Sequence, residues 1–189
     1  MKKFLAVLIF VLVAGGGAFL AFKHYGGGFA AMNKYDFTAI NEANATVSLK
    51  DFKGKYKVVY FGYLYCPDVC PTTLSLIENA LKPLKRDDFE LIFITLDPER
   101  DTPENLTLMA KNFYENATGL KLKNLKQVAA NYGVKFQKVE LKDSLMGYSV
   151  AHSSSIYLLD KDGNFFSEIS NLLPENISAN LQNLIEERP

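Results

Sequence analysis

The only two cysteines in the chain, Cys66 and Cys70, lie in Tyr65-Cys66-Pro67-Asp68-Val69-Cys70-Pro71, separated by three residues. If that stretch is locally helical, positions i and i+4 share a face and both sulfurs can meet one ion. A helix N-terminus beneath them is expected to favour the thiolate forms. Soft thiolates select Cu(I), zinc or iron–sulfur clusters, and imidazole suits the first two. The chain has two histidines, His24 and His152. His24 adjoins an apolar N-terminal run, where a wet interfacial histidine explains it without a ligand role. His152 lies in Gly147-Tyr148-Ser149-Val150-Ala151-His152-Ser153, expected as a loop entering a strand at Ile156. A structural zinc site takes four ligands, a set that is hard to assemble here. Two thiolates and one imidazole instead make a three-coordinate site, acceptable to Cu(I), with a position open for water or a partner's ligand.

The same sulfurs have a competing use in thiol–disulfide exchange. Enzymes of that kind use Cys-x-x-Cys, whereas the gap here is one residue longer. They also set a cis-proline against the dithiol, and none of the seven prolines falls between Pro103 and Pro174. Cys70-Pro71-Thr72 has a faint peroxidase look, but no Thr-x-x-Cys precedes it. An inert Cys66–Cys70 disulfide in an exported binding domain is the third reading.

The elements that must position these residues follow from patterning. Val58-Val59-Tyr60-Phe61 is the β-branched and aromatic run of a buried strand. Leu74, Leu76, Ile77 and Leu81 lie on one face of a helix that starts after the cysteines. Phe89 to Leu96 predicts a second buried strand. Thr102 and Pro103 mark a helix start, as cap and first helical residue, with the helix running to about Tyr114. Leu125 to Tyr132 is a further helix, stopped by Gly133. Val134 to Leu141 is a strand, Ser144 to Ser149 a loop, Ser154 to Leu159 a strand, and Phe165 to Ile169 its partner across an Asp-Gly turn. Pro174 to Glu187 is an amphipathic helix. Before all of these, Tyr35 to Ile40 and Thr46 to Leu49 form a short hairpin. The expected order is β-β-β-α-β-α-α-β-β-β-α, an α/β sandwich around a mixed sheet, with the thiols at the C-terminal end of a central strand, where ligand sites of open α/β sheets sit.

Lys+Arg and Asp+Glu both number 21, so no net field draws the chain to nucleic acid. Met1-Lys2-Lys3 precedes an uncharged run from Phe4 to Phe22, ended by Lys23-His24. At about 1.5 Å per residue, a helix over that run spans close to the roughly 30 Å of bilayer hydrocarbon. A cleaved signal peptide is the rival reading, but its apolar core usually has about 7–15 residues. The expectation is therefore a cytoplasmic end at residues 1–3, an anchor over 4–22, a Gly/Ala-rich tether over 23–34 and one domain over 35–189. Under the positive-inside rule, that domain stands on the outer, periplasmic face of a bacterial inner membrane.

Three stretches together give the chain a family resemblance. They are Phe61-Gly62-Tyr63-Leu64-Tyr65-Cys66-Pro67-Asp68-Val69-Cys70-Pro71, then Thr95-Leu96-Asp97-Pro98-Glu99-Arg100-Asp101-Thr102-Pro103, then His152-Ser153 leading into a strand and an Asp-Gly turn. In these the sequence resembles the SCO/SenC copper chaperones of cytochrome c oxidase assembly, over most of its length after about Tyr35. The resemblance implies a thioredoxin-like fold with an N-terminal β-hairpin, and copper held by Cys66, Cys70 and His152. It implies two partners, an upstream copper donor and the copper-bearing subunit of the oxidase, whose CuA centre receives the metal. The implied role is a metallochaperone rather than an enzyme; a membrane-tethered thiol-disulfide oxidoreductase that keeps a client's copper-ligand cysteines reduced is the alternative. Two departures stand out. Ala151 occupies a position where the family usually has an acidic residue, which removes a carboxylate that could orient the imidazole. The stretch from Asn116 to Leu125 looks shorter than the family's insertion. Asp97 and Asp101 are explained as well by a turn and cap as by a function, and are not expected to be ligands.

Overall fold

A computed structural model describes residues 33–187. The anchor expected over 4–22, and all but the last two residues of the tether, lie outside the described residues. Among the described residues, no helix is long and apolar enough to cross a membrane.

The centre of the domain is a parallel pair. Strand β3 (Tyr56–Gly62) and strand β4 (Phe89–Thr95) are buried along their whole length, as near-continuous apolar runs require when both faces of a sheet are covered. Strand β5 (Ala117–Leu122) runs parallel to β4 on its far side, and strand β8 (Ile156–Leu159) pairs antiparallel with β3. Strand β9 (Phe165–Ile169) completes that edge. At the other edge, the hairpin of β1 (Thr38–Ile40) and β2 (Thr46–Ser48) pairs with β5. The Asn41 side chain shapes its turn by accepting from the backbone N–H groups of Ala43 and Ala45. The seven strands lie in the order β2-β1-β5-β4-β3-β8-β9. A separate two-stranded ribbon pairs β6 (Phe136–Glu140) with β7 (Tyr148–His152).

The alternation of side chains along β3 sorts the helices onto two layers. Tyr60 and Gly62 point to one face, where Tyr60 stacks on Phe93 of β4 and Gly62 faces Cys70 at the start of helix α1 (Val69–Leu81). Gly119 of β5 shares that face and lies beneath Leu106 of helix α2 (Pro103–Lys111). A Cβ on Gly119 would fall 2.4 Å from the Leu106 side chain and from the Thr107 backbone, so only glycine lets this helix sit down. Helix α4 (Pro174–Ile185) packs beside α1. Phe61 points the other way, into the edge of Tyr132 from helix α3 (Leu125–Tyr132), which also meets Tyr157 of β8. The core is thus a sandwich with three helices on one face and α3 on the other.

Two strands depart from the expected order. Residues 117–122 form an additional strand, β5, paired with β4 and β1, in which Gly119 makes room for the helix above it. His152 is not in a loop: it is the last residue of β7, whose polar sequence Tyr-Ser-Val-Ala-His is that of a surface ribbon with only Val150 buried. Helix α2 also ends at Lys111 rather than near Tyr114, and is capped at its start as expected, with the Thr102 hydroxyl accepting from the Asn105 N–H.

Candidate metal centre

Register brings the ligand candidates to one end of the sheet. Ile156 of β8 pairs with Tyr60 of β3, and β8 runs antiparallel, so the chain entering β8 arrives where β3 ends. Four residues before Ile156 stands His152, and six after Tyr60 stands Cys66. Cys66 occupies the turn between β3 and α1, and Cys70 the first turn of α1. The Cys70 N–H, one of the unpaired donors at the helix start, points at the Cys66 sulfur from 3.3 Å. Cys70 Sγ lies 3.7 Å from His152 Nε2, and the three potential donor atoms of Cys66, Cys70 and His152 all lie within 4.8 Å of one another. Both cysteines are free thiols.

The tautomer of His152 follows from its neighbour. Its Nδ1 lies 2.9 Å from the Ser153 carbonyl, which can only accept, so Nδ1 carries the proton and the bare Nε2 faces the sulfurs. The ring is thus held by a backbone carbonyl, while Ala151 is exposed and paired across the ribbon with Gln137. Tyr63, buried, meets the imidazole edge to face with ring centroids 6.0 Å apart. Burial lowers the His152 pKa, which favours the neutral, ligating form.

The expected thiolate at the helix start is overturned for Cys70. This side chain is fully buried against Gly62 and Tyr60, and desolvation pushes its thiol up to about 12, against which one helix terminus is weak. A thiolate forms there only with a compensating charge in the pocket. Three donors about 2.3 Å from a shared trigonal centre stand about 4 Å apart, so the observed spacing needs only a small contraction to hold a soft cation.

Around this triad lies a clamp that residue types alone did not disclose. Asp97 and Asp101 are buried, and neither caps a helix. Asp101 Oδ2 accepts from the Thr95 hydroxyl at 2.6 Å and from the Leu64 N–H at 3.2 Å, tying the cysteine loop to the end of β4. Asp97 takes the Arg100 guanidinium on one oxygen and the Tyr148 hydroxyl on the other. Arg100 donates from Nη1 to the carbonyls of Met146 and Tyr148. Its guanidinium lies 3.7 Å from the ring centroid of Tyr148 and 4.8 Å from that of Tyr65, the neighbour of Cys66. One arginine thus fastens the histidine ribbon to the cysteine loop. The signal available in the sequence is the Thr95–Pro103 stretch, one of the three that carry the family resemblance, whose aspartates a turn and cap explain as well as a function.

Comparison with known proteins gives the chain's family and fold. The SCO1/SenC family model matches residues 27–186, and the chain belongs to that family. An SCO2-like protein of Rickettsia prowazekii is 34% identical over 133 residues, covering 68% of this chain and 65% of its own length. A mitochondrial SCO1 homologue of Arabidopsis thaliana is 35% identical over 134 residues, covering 68% of this chain and 40% of its own. The matches thus span two-thirds or less of these relatives. Among solved structures, copper-bound ScoI of Arabidopsis thaliana superposes with a TM-score of 0.73 at 30% identity, over 80% of this chain and 97% of that one. Copper-bound ScoI of Bradyrhizobium japonicum gives 0.66 at 35% identity, over 79% and 97%. The fold is the thioredoxin-like fold of Sco proteins.

Proposed function

We propose that this protein is a copper metallochaperone that takes copper on Cys66 Sγ, Cys70 Sγ and His152 Nε2 and delivers it to the CuA centre during cytochrome c oxidase assembly. The observation that carries the reading is the convergence of two free thiols and one bare imidazole nitrogen within 4.8 Å of one another. Copper is the cargo. Taking Cu(I) displaces the thiol protons, leaving two thiolates and a neutral imidazole around the ion. Release by ligand exchange reverses the step, because a three-coordinate ion leaves room for an incoming ligand. Oxidation of Cys66 and Cys70 to a disulfide consumes both donors, releases two electrons and two protons to an oxidant, and closes the site to metal. A membrane anchor over residues 4–22, with the domain on the outer face of a bacterial inner membrane, fits the reading, as the CuA-bearing subunit is the intended recipient.

The test is copper stoichiometry on the reduced protein beside His152→Ala and a Cys66→Ser/Cys70→Ser double variant. One tightly held copper per wild-type chain is expected, with binding lost in the double variant and weakened in His152→Ala. No copper in the reduced wild type would overturn the proposal and leave dithiol exchange as the chemistry to measure.

A further inference from the structure

A groove of about 870 Å³ runs between α3, the turn after β4 and strand β6. Leu96, Leu125, Val134 and Phe136 form its apolar part, while Lys123, Lys126, Lys135 and Lys138 contribute four cations. Its one acidic side chain, Glu99, is already paired with Lys138. The chain carries no net charge, so this local excess is a feature of the groove rather than of the composition.

Three further observations say what fits it. Phe136, Gln137 and Lys138 are consecutive, yet all three line the groove. Successive side chains of a strand point to opposite faces, so the groove follows the edge of β6 rather than one of its faces. Among the described residues that edge is open, since the ribbon there has two strands and β7 takes the other side. Lys135 and Ser153 are bonded across the ribbon, so alternation turns the backbone groups of Phe136 and Lys138 outward. Finally, Lys135, Phe136 and Gln137 also line a second depression, of about 430 Å³, that contains His152. The groove therefore adjoins a depression lined by His152.

We propose that this groove docks an extended segment, acidic and partly apolar, of the protein to which the chain passes copper. Its carboxylates meet the lysines, its apolar side chains meet Leu125, Val134 and Phe136, and its backbone adds to the edge of β6 as a strand. Bound this way, the segment holds its owner's ligands beside His152. The identity of the partner rests on the copper-delivery reading; the surface and the chemistry of the segment do not.

The probe is the copper-free, dye-labelled copper-bearing domain of the oxidase subunit encoded in the same genome, titrated with the full chain in neutral detergent and followed by fluorescence anisotropy. Lys126 and Lys135 are exposed, and Lys126→Glu/Lys135→Glu is expected to raise Kd at least tenfold, with Lys126→Gln/Lys135→Gln in between. The dependence of wild-type binding on salt should flatten in both variants, while copper per chain stays unchanged. An unchanged Kd in the Glu variant overturns the proposal. So does a variant that keeps the oxidase domain but loses phosphatidylglycerol vesicles, which would make the groove a lipid site. Failure of the copper reading shows separately, as a wild type that holds no copper.

Discussion

In the proposed site, Cys70 and His152 are the residues at which copper would compete with protons. Burial pushes the Cys70 thiol up to about 12, so it is protonated throughout the neutral range and must lose its proton to bind metal. Burial lowers His152 below its ordinary value, which favours the neutral imidazole. Loading therefore releases at least the Cys70 proton. Apparent copper affinity should rise at least tenfold per pH unit between pH 7 and 8. Calorimetry in buffers of different ionisation enthalpy counts the protons directly; a count of zero would contradict a thiol ligand at Cys70. The candidate ligands themselves were legible in the sequence, because two cysteines and few histidines leave a short list and three stretches resemble one family. Their tautomers and protonation states were not. Those depend on Ser153 turning its carbonyl to the ring and on Gly62 admitting the Cys70 sulfur into the sheet face, contacts that residue type does not encode.

Elements hold the site through two close approaches and a clamp. A Cβ at Gly62 would lie 2.8 Å from Cys70 Sγ and from the Phe93 ring, whereas the three atoms nearest to one at Gly119 all belong to α2. Gly62→Ala and Gly119→Ala should each destabilise the fold by about 1–3 kcal/mol or more, the usual cost of overpacking. Only Gly62→Ala should also weaken copper binding, as judged by chelator competition beside denaturant midpoints. Arg100→Lys keeps a charge but loses the stack on Tyr148 and the fork that reaches Asp97 and two carbonyls. It should lower copper affinity by about 10–100-fold, the range seen when groups that orient ligands are removed. An unchanged affinity would make the clamp a purely structural device. These elements differ in how far the sequence announced them. The buried runs of β3 and β4 declare themselves through Val, Ile, Tyr and Phe. By contrast, β5 hides behind a glycine whose reason is 12 residues away in α2, and β7 behind a polar sequence stabilised by an arginine 46 to 48 residues distant.

At the scale of the whole described domain, the candidate ligands stand on two elements of unequal burial. The cysteines stand on a seven-stranded sheet with a buried core, and His152 on a ribbon outside that sheet, 82 residues further along the chain from Cys70. Of the five residues of β6, four are exposed and Phe136 is half-buried, so the ribbon contributes little apolar burial of its own. Its hold on the rest includes Arg100, Tyr148, the Lys138–Glu99 ion pair, the buried Val150 and the short link into β8. Regions with few buried contacts open locally at lower free energy than the core. In the copper-free protein, the amides of β6 and β7 should therefore exchange hydrogen faster than those of β3 and β4. Copper held by all three residues ties the ribbon to the sheet and must slow that exchange, since a ligand stabilises only the conformations that bind it. The protection should appear in β6 and β7 of the loaded wild type and be absent in loaded His152→Ala, whose cysteines hold the ion on the sheet side alone. Equal protection in the two proteins would mean that His152 does not bind the metal, and that the ribbon is fixed by its clamp alone.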